Sequence, residues 1–316
     1  MSLAQTPGLK GTGVRSARRG DKVFSFIVTA AGLAIVITLA GVAIFLLFEG
    51  APALAAHPSE LPGGVGFRSF VLPLLFGTLL SSVIALLIAT PLAIGIALFV
   101  SFYSPRRLAG SLGYVIDLLA AVPSVVFGLW GANFVGPRLV PFYGWLEAHF
   151  GWIPFFSGPA SATGRTMLTA GIVLAIMVIP IVTALSREVF RQAPRLQQEA
   201  ALGLGATRWE MIRSVVLPFG RSGVLSATML GLGRALGETM AVAMVLSVSG
   251  GVTFNLISAS NPSTIAANIA LDFPEATGLE VNTLIASGLV LFLVTFIVNF
   301  AGRSIVRRST RRGAEG

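Results

Sequence analysis

Two ionisable side chains stand inside an otherwise apolar stretch of this chain: Arg234 and, four residues on, Glu238. On a continuous helix that spacing puts both on one face, about one turn apart. A guanidinium at the centre of a membrane costs about 2.5–3.5 kcal/mol on insertion scales, so it needs a reason to be there. One reason is structural, an ion pair that ties helices together. The other is a solute pathway, because intramembrane charges line cavities and the planar fork of Arg matches the oxygens of a tetrahedral oxyanion. An ionised Glu238 only accepts hydrogen bonds, so beside Arg234 it favours an anion that still carries a proton. Gly231, Gly233 and Gly237 surround the pair and permit close approach of a helix or a solute. Asp117, about four residues into another apolar stretch, reads equally as an interfacial cap, an ion-pair partner or a pathway residue.

Little other chemistry is encoded. Cysteine is absent, so there is no disulfide framework, thiolate nucleophile or Cys metal site. His57 and His149 lie far apart in polar stretches and make no metal centre. Neither H-E-x-x-H nor G-x-S-x-G occurs, so no catalytic residue is assigned. The two lysines, Lys10 after Leu9 and Lys22 after Asp21, cannot complete G-x-x-x-x-G-K-[ST]. A transporter built on this chain works passively or draws its energy from another subunit.

One polar segment, residues 187–218, has a pattern of its own. Glu199-Ala200-Ala201 opens it, Gly205 breaks it, and Leu217-Pro218 closes it. The expected form is a short helix, a glycine turn and a second helix stopped by proline. Ala200, Ala201 and Leu204, then Trp209, Ile212 and Val216, recur at helical spacing, so each piece is amphipathic. Such a segment is shaped for a protein contact or, alternatively, for lying on the lipid surface.

The elements that must position these residues are set by composition. Of 316 residues, 54% are hydrophobic and 11% charged, against roughly 25% charged in a soluble domain. Mean hydropathy is +0.85. These values exclude a soluble enzyme, a disordered chain and a nucleic-acid-binding module. Six stretches reach the roughly 20 residues that a membrane crossing needs: 23–48, 71–102, 113–135, 167–186, 219–249 and 283–302. Net charge is +9, and 18 of the 22 basic residues fall on one side of these spans, leaving Arg68, Arg138 and Arg165 opposite and Arg234 inside. The positive-inside bias makes both termini cytoplasmic. The first span follows a basic leader and precedes Ala53-Leu54-Ala55, but at about 25 residues it exceeds the 7–15 of a signal core and reads as an uncleaved anchor. The expected organisation is a basic tail (1–22), an anchor helix (23–48), a Pro/Gly/Ala-rich outer loop (49–70), a five-helix permease domain (71–302) and a second basic tail (303–316). Within the domain, outer loop 136–166 carries Phe142, Tyr143, Trp145, Phe150, Trp152, Phe155 and Phe156, an aromatic belt at the headgroups or a docking surface. Pro91, Pro123 and Pro180 mark expected bends.

The order E-A-A, Gly four positions after the second Ala, and [I/V]-x-L-P ten residues further on resembles the EAA loop of ABC importer permeases. Glu199, Ala200, Ala201 and Gly205 match that motif, with Leu217 and Pro218 closing it; Val215 stands where Ile is usual. Gly77-Thr78-Leu79-Leu80, residues 117–131, 168–180 and 233–242 extend the likeness, and over roughly 20–305 the chain resembles PstC-type phosphate importer permeases. The aromatic outer loop favours that type over PstA-type permeases. The resemblance implies an all-α membrane protein with the six-helix type I importer (MetI-like) fold in a bacterial plasma membrane. It also implies a PstA-type sister permease, a pair of ATPase subunits that carry the ATP and Mg, and a periplasmic phosphate-binding protein. The loop alone is silent on substrate, so another oxyanion or solute stays open. A passive channel or secondary transporter gives no reason for the Glu-Ala-Ala loop, and a non-transporting assembly factor gives none for Arg234.

Overall fold

The computed structural model describes residues 19–314. Among them there is no β-strand, only one isolated bridge between Val248 and Asn261. The helices are α1 (Arg19–Ala55), α2 (Phe67–Leu98), α3 (Arg106–Ala120), α4 (Ser124–Trp130), α5 (Gly136–Phe150) and α6 (Met167–Arg191). They continue as α7 (Arg195–Gly203), α8 (Arg208–Met211), α9 (Leu217–Leu236), α10 (Met240–Val245), α11 (Ile265–Asp272) and α12 (Leu279–Ala314). Five segments are long and apolar enough to cross a membrane, and a sixth is gained if one sharply bent pair counts as a span.

Helix α6 is the axis of the bundle. Its apolar residues Val173, Leu174, Met177, Val178 and Val182 are buried, and α2, α9 and α10 pack round it. Small residues set the approach distances. A Cβ on Gly171 would strike Ile84 of α2, and Cβ atoms on Gly223 and Gly231 of α9 would strike Val189 and Val178. Outward-facing positions are large and apolar, among them Phe24, Phe26, Leu87, Phe296, Ile297 and Phe300, the surface a hydrocarbon solvent requires. Helix α1 is exposed over most of its length. It joins the bundle near its C-terminal end, where Gly50 meets Ala286 and Asn282 donates to the Glu49 carbonyl at 2.6 Å.

Three π turns occur, the first closing α2 and the other two inside continuous helices, and a proline stands two positions after the last residue of each. Ser104, Gly136 and Leu217 donate their N–H groups five residues back, to Phe99, Gly131 and Ile212, and Pro105, Pro137 and Pro218 follow. A proline ring clashes with the carbonyl four residues earlier and has no N–H to offer; widening the turn relieves both problems. Pro218 therefore does not stop the second loop helix as expected. Residues Arg208–Leu236 run as one span through the π turn.

Other expectations also change. The third span, expected at 113–135, is split: the helix ending at Ala120 and the helix starting at Ser124 meet at 90°, with Pro123 at the corner. The aromatic loop begins as helix α5, continuous with α4 through the π turn. Loop 49–70 is shorter than expected, since α1 reaches Ala55 and two 3-10 turns fill Pro58–Glu60 and Pro62–Gly64. The fourth span continues to Arg191, whereas Pro91 and Pro180 lie inside uninterrupted helices. The fifth span is broken at residues 237–239 and becomes irregular after Val245. Of the basic tails, residues 1–18 and 315–316 lie outside the described residues.

Residues 246–264, between α10 and α11, are non-helical; 248–252 are exposed, and 261–264 are buried. Asn261, fully buried, organises them. Its Oδ1 accepts the Met167 N–H at 3.2 Å, while its amide donates to the carbonyls of Ser258 (3.0 Å), Ser247 (3.1 Å) and Arg165 (3.4 Å). Thr78 of α2 accepts the Ile265 N–H at 3.0 Å, and Gly77 leaves room for the Ser263 carbonyl. Replacing Asn261 with Leu strands these backbone groups, at about 1–3 kcal/mol each. The thermal midpoint of the purified protein in detergent should fall by several degrees, and an unshifted midpoint would remove Asn261 from this role.

Candidate functional site

The loop that opens with Glu199 is built from local backbone rules. Glu199, Ala200 and Ala201 lie on α7, which ends in a pair of turn hydrogen bonds: Gly205 N–H to the Leu202 carbonyl at 3.0 Å, and Ala206 N–H to the Ala201 carbonyl at 3.1 Å. This is the helix-terminating arrangement that needs a left-handed residue after the helix, and Gly205 has φ +89°. Nothing lies within 4 Å of where its Cβ would sit, so conformation, not space, selects glycine. Thr207 then starts α8 with a reciprocal cap. Its hydroxyl accepts the Glu210 N–H at 3.3 Å, and Glu210 accepts the Thr207 N–H at 2.8 Å.

The loop is anchored on one side and open on the other. Met211, Ile212 and Val216 are buried with Phe190, Ala193, Ala97 and Leu98, and Ala201 packs against them. Facing outward are Leu204 (89% exposed), Leu196 (79%) and Trp209 (54%). An ordered, amphipathic projection with uncovered apolar side chains has the shape of a docking element. Glu199 and Ala200 are on this exposed side, while Leu217 and Pro218 carry the chain into α9.

Arg234 and Glu238 do not share a helix face. Helix α9 ends at Leu236, Gly237 follows it, and Glu238 lies beyond the break. Glu238 is buried (8% exposed) and its Oε1 accepts the Ala241 N–H at 3.1 Å, so it satisfies a first-turn donor of α10. The Gly237 break is what the spacing argument missed: the window 219–249 is apolar throughout, and nothing in its periodicity marks the interruption. Among the described residues only Asp117 and Arg187 form an ion pair, at 3.6 Å between α3 and α6. Gly113 makes room for that guanidinium. Asp117 is thus an ion-pair partner, one of its expected roles.

Arg234 instead lines a cleft of about 1210 Å³ between α1, α6, α9 and α12. Its Nε is buried and has no hydrogen-bond partner in the protein. The cleft is walled largely by apolar side chains, with Ser226, Thr295, Asn299 and Arg303 adding polar groups. Sequence reasoning overlooked Asn299, and it assigned Arg303 to a tail beyond the last span. The span boundary drawn at 302 hid the continuation of α12, which the basic residues after it disguise as tail.

A bundle of apolar helices with an ordered amphipathic projection and a cleft holding Arg234 fits a membrane transport subunit of the permease class. Residues 89–311 match the family described as binding-protein-dependent transport system inner membrane component. The chain belongs to that family, and within it groups with the permeases called PstC. It is 46% identical over 311 residues to the phosphate transport system permease protein PstC 2 of Mycobacterium tuberculosis, covering 95% of each chain. It is 40% identical over 322 residues to PstC of Xylella fastidiosa (strain Temecula1), covering 97% of this chain and 96% of that one. Two solved structures share its fold at 16% identity. One is a bacterial alginate ABC transporter in complex with its alginate pentasaccharide-bound periplasmic protein (TM-score 0.58, 93% and 98% covered). The other is the MetNI methionine ABC transporter in an inward-facing form (TM-score 0.52, 76% and 94% covered). The fold is therefore that of an ABC importer permease, a multi-pass protein of the plasma membrane, and the chain is a transport component, not itself an enzyme.

The glycine turn generates a separable expectation. Gly205→Val places a β-branched residue at positive φ, costing about 1–2 kcal/mol or more, while Gly205→Asn tolerates that region. Limited proteolysis between residues 192 and 210 should accelerate for the Val variant and stay near wild type for Asn. Equal cleavage of the two would show that backbone conformation is not what fixes this residue.

Proposed function

We propose that this chain forms half of the translocation pathway of an ATP-driven phosphate importer, paired with a PstA-type sister permease. The observation that carries this reading is near-full-length identity of 37–46% to permeases named for phosphate transport. A pair of separate ATPase subunits, carrying ATP and Mg, docks on α7 and α8, where Leu196, Leu204 and Trp209 are uncovered. The basic-residue bias makes this end cytoplasmic, along with both termini. A periplasmic phosphate-binding protein delivers its anion to the opposite end, where the 246–264 segment and α5 lie.

Within the pathway, Arg234 offers N–H donors to phosphate oxygens and keeps its charge at any ordinary pH. Glu238 lies beyond the helix break and is not among the residues lining the Arg234 cleft, so it meets the anion outside that cleft. One of its oxygens holds the Ala241 N–H, and an ionised carboxylate has further lone pairs that accept a P–OH proton and repel fully ionised sulfate. Membrane lipid surrounds the assembly; nucleic acid has no part in it.

Transport by membranes with verified assembly tests the pair. Arg234→Lys keeps charge but loses the fork, so phosphate uptake should fall about tenfold or more, the loss expected for a charge-assisted hydrogen bond. Glu238→Gln should also slow uptake and relax discrimination against sulfate. Full, selective uptake by both variants would reduce them to structural residues.

Coupling and orientation have their own checks. In the assembled complex, Gly205→Val should uncouple ATP hydrolysis from uptake or release the ATPase, and normal ATP-driven uptake would refute the docking assignment. Because native cysteine is absent, Arg15→Cys and Thr310→Cys report topology cleanly. Neither should react with an impermeant thiol reagent in intact cells, and labelling at either site would invert the orientation.

A further inference from the structure

Arg303 shares its cleft with Arg234. Gly302 is buried against Met229, where a Cβ would strike the thioether, while Asn299 and Arg303 are exposed along the cleft. Met229 precedes Arg234 by five residues, about 7.5 Å along a helix axis. Helix α12 then continues to Ala314, so Arg303 is not at a fraying end. It stands beside the body of α9, below Arg234 on the side toward α8.

The surroundings of the two guanidinium groups fit an anion. No Asp or Glu lines the cleft, and among the described residues neither arginine has a carboxylate within 4.0 Å. Two cations facing one apolar-walled space repel each other, and an oxyanion between them removes that repulsion while accepting from both forks. Polar side chains complete the lining. Asn299, one turn before Arg303, brings two N–H donors and an acceptor. Thr295 and Ser226 already donate their hydroxyls to the carbonyls of Phe292 (2.9 Å) and Ser222 (2.9 Å), so toward the cleft they present acceptor lone pairs, suited to a protonated phosphate oxygen.

We infer that Arg303, with Asn299, forms a second phosphate station that receives the anion from Arg234 on its way to the α7–α8 end of the bundle. This rests on the phosphate-import reading above. The shared chemistry is a phosphate oxyanion, and the same groups would also hold the phosphodiester of an anionic lipid. The transported ion is favoured because the cleft joins Arg303 to the deeper Arg234, whose Nε is buried and lacks a protein partner.

The test reconstitutes the assembled transporter in vesicles of phosphatidylcholine alone and in vesicles containing phosphatidylglycerol. Inorganic phosphate uptake and ATP hydrolysis are measured for wild type, Arg303→Gln, Arg303→Lys and Arg234→Lys. Arg303→Gln should lower maximal uptake about tenfold or more, as loss of a charge-assisted hydrogen bond implies. The effect should appear in both lipids, leave the half-saturating phosphate concentration near wild type, and be partly rescued in Arg303→Lys. Normal uptake by Arg303→Gln with impaired Arg234→Lys would overturn the second station and leave the phosphate pathway intact. Normal uptake by all three variants would overturn both readings. A defect confined to vesicles with phosphatidylglycerol would assign Arg303 to a lipid headgroup and overturn the station. A variant that fails to assemble is replaced by Asn299→Ala, for which reduced maximal uptake in both lipids supports the station and wild-type uptake overturns it.

Discussion

Every peptide group inside a hydrocarbon layer must find its hydrogen-bond partner within the protein. That constraint governs each irregularity in this chain. Where proline removes a donor, a π turn shifts the ladder by one residue, as before Pro105, Pro137 and Pro218. Where α10 begins after a break, Glu238 supplies an acceptor to the Ala241 N–H. Where the backbone abandons helix altogether, after Val245, the amide of Asn261 gathers three carbonyls and its oxygen takes the N–H of Met167. The irregular backbone from Asn261 to Thr264 is therefore buried within the protein.

The same constraint separates residues that hold the structure from residues open to solute. Glu238 is committed at one oxygen to a helix end, so it does not neutralise Arg234 as a same-face partner would. Arg187 behaves differently: it is mostly buried, 13% exposed, and is matched by Asp117 at 3.6 Å. Arg187 thus ties α3 to α6, while Arg234 faces a cleft without a carboxylate.

Composition and periodicity made the helical, membrane-spanning class legible, since a stretch such as 167–186 has no other stable form in lipid. The glycine turn at Gly205 was legible too, because it follows from local rules of helix ends. Non-local features were not. The break after Leu236 carries no proline to mark it, whereas the 90° corner before Ser124 falls at Pro123, where a bend was expected. Asn261 joins backbone groups nearly a hundred residues apart, a role no local window contains. For Arg234 and Glu238, the shared-face spacing held only for a continuous helix, and α9 ends at Leu236 before Glu238.

Distance between the docking loop and the cleft is bridged by one element. Residues Arg208–Leu236 form a continuous helical span, bent through a π turn but not broken. Its lower end carries Trp209 on the exposed face of the loop, and its upper end carries Arg234 about 25 residues later, or roughly 38 Å of helix at 1.5 Å per residue. Gly220, Gly223 and Gly231 lay that span closely on α6, whose own C-terminal end leads into α7. Both arms of the loop thus continue directly into α6 and α9, which pack against each other. Because close-packed interiors transmit strain with little compression, the covalent and packed continuity of the loop with α6 and α9 is the physical basis for the coupling proposed above.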